Sequence, residues 1–184
     1  MKLPRRGTLG LTSGVMLSTV VSPGFRNTTA NGSEETMHYM PGRIAGPTEV
    51  PVKRYYMDGR FGQIHYRLAT PLAASTKRPV ICIHMSPNSG RVFEHFAGFL
   101  GSDRLCFAPD TPGFGDSDPP QNKPSISDYA SAIGDLIDNL NLSEVDLIGY
   151  HTGSETAIEV AHQRPNNVNR IIIVSAPIFT DSER

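Results

Sequence analysis

A histidine occupies the centre of a glycine-flanked turn, Gly149-Tyr150-His151-Thr152-Gly153. The apolar run 145–148 before this turn is typical of a buried strand, and residues 154–161 after it are typical of a helix. A central residue in such a strained turn leaves no room for side chains two positions away on either side, which explains the glycines. The spacing therefore predicts that His151 is presented at the tip of a tight strand-to-helix turn.

The imidazole of His151 could do chemistry in two ways. Neutral imidazole can attack an activated ester and form an acyl-imidazole, which water then hydrolyses. It can also act as a general base toward water or a substrate C–H bond, which suits a lyase or a cofactor-free oxygenase. Two other interpretations stay open, namely a metal ligand and a tolerated residue at a turn that has lost its nucleophile.

The elements around this turn alternate between strands and helices. Two strand-like runs flank Asp58-Gly59-Arg60, which predicts a β-hairpin. Short apolar strands and amphipathic helices then follow in turn, which predicts a mainly parallel sheet with helices on both faces. The predicted elements are strands at 52–57, 62–68, 80–84, 104–109, 145–148 and 170–175, with helices around 92–100, 129–140 and 154–161.

Four motifs together resemble the N-terminal half of an α/β hydrolase. Gly149 to Gly153 resembles the nucleophile elbow G-x-S-x-G, and His84-Met85-Ser86-Pro87 resembles the H-G-x-P oxyanion loop. Residues 110–117 are similar to the D-x-P-G-x-G-x-S loop of the family, and Ser175-Ala176-Pro177 fits the end of its first half. The resemblance covers roughly residues 50 to 180 and implies an α/β fold of that type.

This resemblance implies an enzyme that acts on small carboxylic esters or related carbonyl compounds and needs no cofactor. His151 would be catalytic, and the oxyanion hole would be formed by the backbone N–H groups of Thr152 and Ser86. His84, Gly149 and Gly153 would support the site. The alternatives are a non-catalytic binding protein or inactive remnant of the same fold, and a lyase or oxygenase that uses His151 as its base.

The chain departs from the family pattern in two respects. His151 replaces the expected Ser, Cys or Asp, and the sequence stops at Arg184, before the family's usual acid, its relay histidine, the cap and the last two strands. We therefore expect a partial domain over 52–184. The strand at 170–175 would then be an open apolar edge, through which two copies could associate.

Composition excludes several other classes of protein. The net charge of −1 gives no reason to expect a nucleic-acid partner. No G-x-G-x-x-G opens a helix and no phosphate loop is present, so we predict a small-molecule substrate and no nucleotide cofactor. Cys82 and Cys106 both lie in apolar strands, which predicts buried free thiols and no metal site.

The N-terminal region has its own character. Residues 1–33 contain no acidic residue, and Lys2, Arg5 and Arg6 precede a moderately apolar run that is too short to span a membrane. This layout is typical of a signal or transit peptide, although a disordered tail is the alternative. We expect an exported or periplasmic protein if the segment is a signal, and a cytoplasmic one otherwise. Residues 34–51 are expected to be coil.

Overall fold

The alternation of strands and helices is present in the computed structural model, which describes residues 48–178. The predicted tail, most of the predicted coil and the last six residues lie outside this range. None of the helices within it is long and apolar enough to cross a membrane. The elements are β1 (Val52–Gly59), β2 (Gly62–Ala69), β3 (Val80–Ile83), a 3-10 turn (Gly90–Phe93), α1 (Glu94–Leu100), β4 (Cys106–Pro109), α2 (Ile126–Asn139), β5 (Val145–Tyr150), α3 (Thr152–Gln163) and β6 (Val168–Val174).

The strands form one six-stranded sheet in the order β1-β2-β4-β3-β5-β6. The first two strands form an antiparallel hairpin, and β2 is also antiparallel to β4. All remaining neighbours, from β4 through β3 and β5 to β6, are parallel. The predicted fold class, a mainly parallel α/β sheet, is confirmed.

Helices cover both faces of this sheet, as the sequence predicts. Alternate residues of a strand point to opposite faces. Ile81 and Ile83 of β3 pack in one buried cluster with residues of α2 and α3. Val80 and Cys82 pack in a second cluster with Ala97 of α1. Two separate cores therefore hold the parallel strands from either side, and their carboxyl ends are left for loops.

The two cysteines lie side by side in the second of these cores. Both Cys82 and Cys106 are fully buried and free, and their Sγ atoms are 3.8 Å apart on the neighbouring strands β3 and β4. The hydrogen bond between the two thiols and their burial raise the pKa of Cys82 well above its usual value. The prediction of buried free thiols is confirmed.

The hairpin turn lies two residues later than the sequence indicates. Asp58 and Gly59 belong to β1, and the chain reverses at Arg60 and Phe61. Gly62 supplies the special conformation, with a positive φ of 114° that a residue with a side chain rarely adopts. The turn is fixed there by contacts from elsewhere in the chain, because Arg60 pairs with an aspartate of α2.

Helix α1 buries a different surface from the one its apolar spacing suggests. Ala97 and Gly98 are its buried residues, while Phe96, Phe99 and the preceding Val92 are exposed. The carbonyl of Gly98 accepts a hydrogen bond from the N–H of Val50 at 3.0 Å. The small residues thus let the incoming chain approach this helix closely. Of the larger apolar side chains, Phe93 and Leu100 pack partly buried against the core, while the others face outward.

Helix α2 follows the sequence closely. Ser125 and Asp128, three residues apart, form a capping box, in which each side chain bonds to the other residue's backbone N–H. The stripe of apolar residues is buried against the sheet, with Ala132, Ile133 and Leu136 at its centre. Local signals and burial agree along this helix.

A buried carboxylate, Asp110, ties the hairpin to the loops at the carboxyl ends of the strands. One oxygen accepts from the backbone N–H of Gly90 at 2.7 Å and from the guanidinium of Arg67 at 3.1 Å. The other lies 2.9 Å from Nδ1 of His65 and accepts from the N–H of Asp116 at 2.9 Å. Four groups from three parts of the chain, namely β2, the 3-10 turn and the loop at 110–117 itself, therefore contact this carboxylate, which fits a structural role for that loop.

We expect Asp110→Asn to destabilise the protein strongly. The amide would turn an N–H group toward donors and leave the buried charge of Arg67 without its closest partner, a change that typically costs about 3–5 kcal/mol. Urea denaturation of the wild type and the variant measures this loss. The matched control is Asp116→Asn, whose carboxylate is 58% exposed and should matter by less than about 0.5 kcal/mol. Equal midpoints for the two variants would contradict the structural role of Asp110.

Strand β6 forms one edge of the described sheet. It pairs only with β5 among the described residues, and Ile172, Ile173 and Val174 are 53%, 48% and 40% exposed. An apolar edge with free backbone groups is a template for pairing with another strand. We propose that two copies of this chain associate along β6.

Light scattering over a dilution series tests this association. We expect the mean mass to rise with concentration, and Ile172→Lys to abolish the rise because it places a charge on the edge. The control is Ile158→Lys, which puts the same charge on an exposed isoleucine of α3. A monomer at every concentration would exclude pairing through this strand.

Candidate active site

The turn between β5 and α3 holds His151 in a strained conformation. Its φ is 53° and its ψ is −121°, a region that costs a residue with a side chain about 1–3 kcal/mol. Its N–H donates to the carbonyl of Val174 at 2.8 Å, and its carbonyl accepts from the N–H of Ser154 at 2.8 Å. Contacts with β6 and α3 thus hold the backbone of His151 in place at the carboxyl end of β5.

The flanking glycines are required by close backbone contacts. A Cβ atom at Gly149 would lie 2.5 Å from Cα of Ser154. At Gly153 it would lie 2.2 Å from the carbonyl oxygen of Ile83. Helix α3 therefore begins directly against the ends of β3 and β5, which brings the turn to the loop that follows β3.

The ring of His151 offers a free nitrogen at this turn. Its Nδ1 is buried and has no hydrogen-bond partner within the part of the chain that the structure describes. Leaving such an atom unpaired typically costs about 1–3 kcal/mol, which a bound polar group would recover. Among residues 48–178, no carboxylate orients the ring through Nδ1, so this part of the site differs from a Ser-His-Asp arrangement.

The two predicted oxyanion donors lie beside each other. Thr152 is the first residue of α3, so its backbone N–H belongs to the first helical turn. The N–H of Ser86 donates to the side-chain oxygen of Thr152 at 2.7 Å. The structure thus brings the loop after β3 to the elbow. The sequence shows only that a threonine is present at 152, and a contact 66 residues away leaves no local pattern.

His84 anchors the loop that carries Ser86. Its Nδ1 is 2.9 Å from the carbonyl of Met85, and since a carbonyl only accepts, this nitrogen must carry the proton. Its Nε2 then accepts from the N–H of Thr111 at 3.0 Å. Both nitrogens are used in joining two loops, and neither is available to His151.

This arrangement requires a neutral His84 ring. Burial is the main cause that lowers its pKa from the ordinary value of 6.5, and the positive charge of Arg67 acts in the same direction. The bond to Met85 and the charge of Asp110 oppose that shift. A second proton on Nε2 would also point at the N–H of Thr111, so protonation and the loop contact are incompatible.

One group of side chains has the spacing of metal ligands, but its surroundings disfavour a cation. His65, Asp110 and Asp116 place ligand atoms within 4.8 Å of one another. The guanidinium of Arg67 lies 3.1 Å from Asp110 and supplies a positive charge there already. The oxygens of Asp110 are also occupied by two backbone N–H groups. This cluster is therefore better explained as the structural hub described above.

We expect acid to weaken the fold through His84. Because its folded pKa is lower than its unfolded pKa, its contribution is complete above pH 6.5 and is lost as pH falls from there toward the folded pKa. Unfolding free energies from urea titrations between pH 8 and about pH 5 measure this slope. In His84→Gln the slope should be shallower, although the variant is less stable overall.

The control for this experiment is His95→Gln. The side chain of His95 is 92% exposed, so its removal should leave the pH dependence of stability unchanged. If the unfolding free energy of His84→Gln fell below pH 6.5 as steeply as that of the wild type, a stabilising role of the neutral His84 ring would be excluded.

Comparison with known proteins places this geometry in a family. A family model described as the alpha/beta hydrolase fold matches residues 78–184. An uncharacterized protein of Mycobacterium tuberculosis is 31% identical over 118 residues, which are 64% of this chain and 34% of that protein. The cis-3-alkyl-4-alkyloxetan-2-one decarboxylase of Shewanella oneidensis is 24% identical over 136 residues, 72% of this chain and 41% of the relative. The chain therefore spans well under half the length of these curated relatives.

Solved structures share the fold. The epoxide hydrolase CorEH superposes with a TM-score of 0.64 and 21% identity, over 72% of this chain and 48% of that one. An N-acyl homoserine lactonase, solved with N-hexanoyl homoserine, gives a TM-score of 0.61 and 23% identity, over 68% of this chain and 46% of the lactonase chain. Since the family match covers more than half of the sequence and the elbow geometry agrees with it, this chain belongs to the α/β hydrolase fold family.

Proposed function

We propose that this chain carries the elbow of an enzyme that acts on small carboxylic esters or related carbonyl compounds, with His151 as the attacking group. The observation that carries the proposal is a histidine held at a positive φ of 53°, whose buried Nδ1 has no partner among residues 48–178. A strained residue persists only where its surroundings over-determine it, and such residues concentrate at functional sites.

The reaction divides into two steps. An imidazole nitrogen of His151 forms a bond to the carbonyl carbon, and the C=O electron pair moves onto the oxygen. Collapse of this adduct restores the C=O bond and expels the alcohol oxygen with its bonding pair. That oxygen takes up the proton that the other ring nitrogen gives up, so the products are the free alcohol and a neutral acyl-imidazole. Water then adds to the acyl carbon, releases the acid and returns the ring to its neutral form.

The start of α3 favours this chemistry. The negative charge that develops on the carbonyl oxygen would lie near the first turn of a 12-residue helix, where backbone N–H groups are free and the helix dipole is positive. The N–H of Thr152 belongs to this turn. Such preorganised donors supply a large share of the stabilisation in acyl transfer.

The names of two of the similar proteins fit the proposed class of substrate. An oxetan-2-one is a strained cyclic ester, and a homoserine lactone is another cyclic ester. We therefore place lactones among the related carbonyl compounds that this site would accept.

One alternative uses the same free nitrogen differently. The unpartnered Nδ1 of His151 would equally accept a proton from a substrate C–H bond, as a lyase or cofactor-free oxygenase requires. The other alternative is a binding protein or inactive remnant without catalysis, in which His151 is a tolerated residue at the turn. Both predict outcomes different from ester turnover.

Hydrolysis of a short-chain aryl ester tests the proposal. We expect His151→Ala to lower the rate about a hundredfold or more, the usual scale for a positioned catalytic group. The matched control is His162→Ala, because an exposed histidine of the same helix reports the background reaction of free imidazole. Rapid quenching and mass spectrometry should find the acyl group on the peptide that contains His151.

Other outcomes contradict the proposal in different ways. Equal rates in wild type and His151→Ala would show that the turnover is background. Solvent deuterium entering a carbonyl compound without ester turnover would favour the general-base alternative. Inactivity in both assays would favour the binding protein.

A further inference from the structure

The side chain of Thr152 occupies the direction in which the predicted loop donor points. The N–H of Ser86 lies 2.7 Å from Oγ1 of Thr152, a short and well-formed hydrogen bond. A hydroxyl has one proton to donate and two lone pairs that accept. Since Oγ1 accepts from Ser86, the proton of Thr152 is free to point elsewhere.

An oxyanion could use the N–H of Ser86 directly only if the side chain of Thr152 moved away. Threonine is branched at Cβ, so its χ1 has few allowed settings on a helix. Its backbone is fixed as well, because Gly153 lies against the carbonyl of Ile83 and His151 is bonded to Val174. The hydrogen bond between the N–H of Ser86 and Oγ1 of Thr152 is therefore a stable part of the site.

We propose that the hydroxyl of Thr152 is itself an oxyanion donor, with the N–H of Ser86 behind it as a relay. This inference rests on the proposed function, since it assigns the donors for the same negatively charged oxygen. Thr152 would then contribute its backbone N–H and its side-chain O–H from a single residue. Ser86 becomes a positioning residue that does not touch the substrate.

The chain of hydrogen bonds has an electrostatic advantage. An N–H that donates to a hydroxyl oxygen polarises the O–H bond, so that its proton is a better donor to an anion. Both Ser86 and Thr152 are half-buried, where such bonds are stronger than in open water. The first turn of α3 adds its positive end to the same place.

Three substitutions of Thr152 distinguish a hydroxyl that donates to the oxyanion from a side chain that only blocks the N–H of Ser86. Thr152→Ser keeps the O–H group and should retain oxyanion binding. Thr152→Val keeps the shape, removes the O–H and sets a methyl group against the N–H of Ser86. Thr152→Ala removes the O–H but opens the N–H of Ser86 to a ligand. If the hydroxyl of Thr152 is a donor, Thr152→Val should weaken oxyanion binding more than the other two substitutions. If the side chain only obstructs the N–H of Ser86, Thr152→Ala should strengthen oxyanion binding.

The test uses a short-chain alkylphosphonate, a tetrahedral oxyanion that binds without being turned over. Its dissociation constant is measured by NMR titration of the amide signals, in the wild type, in the three variants and in His151→Ala. We expect Thr152→Val to weaken binding about tenfold or more, as loss of a hydrogen bond to a charged group does. Thr152→Ser should bind much more tightly than Thr152→Val, and Thr76→Val, an exposed loop substitution, is the matched control.

The outcomes are distinct from those of the ester assay. If phosphonate binding depends on the O–H of Thr152 while ester turnover does not depend on His151, the donor stands and the proposed nucleophile fails. Wild-type or tighter binding by Thr152→Val overturns the donor role of Thr152, as does tighter binding by Thr152→Ala or the absence of binding to the wild type. Urea midpoints and amide spectra of every variant identify a loss caused by unfolding.

Discussion

The start of α3 can lie against the end of β3 only because no side chain stands between them. A single Cβ at Gly153 would come within 2.2 Å of the carbonyl oxygen of Ile83 and 2.7 Å of that of His84. This contact fixes the distance between the turn that carries His151 and the loop that carries Ser86. Three features depend on this contact, namely the positive φ of His151, the hydrogen bond between Ser86 and Thr152, and the position of the N-terminus of α3.

The loops around this contact are held by a second set of interactions. His84 joins the loop after β3 to the loop after β4, and Asp110 joins the latter to the hairpin and to the 3-10 turn. Each anchor is a buried polar group with several partners, so neither can be lost without exposing others. The turn that carries His151 is thus supported by residues outside the turn itself.

Sequence patterns predict the parts of the fold that are decided locally. The capping box at Ser125 and the apolar stripe of α2 lie within a few residues, and both are present. The Asp-Gly pattern predicts the hairpin turn two residues too early. The position of the turn depends on the positive φ of Gly62 and on the ion pair between Arg60 and α2. The buried face of α1 was not predictable either, since it depends on Val50 packing against small residues. At the site, spacing located His151 and the two loops, whereas the bond between Ser86 and Thr152 joins positions that no local pattern connects.

The paired thiols of Cys82 and Cys106 have a consequence for how opening of this domain would appear. They lie on adjacent central strands, fully buried, and burial with mutual hydrogen bonding keeps Cys82 in its protonated, unreactive form. Reagents in solution can meet these sulfur atoms only when β3 and β4 lose the cover of the core around them. The reactivity of the two cysteines therefore reports whether the central sheet is intact, and Cys82 lies on the strand that leads to the loop of Ser86.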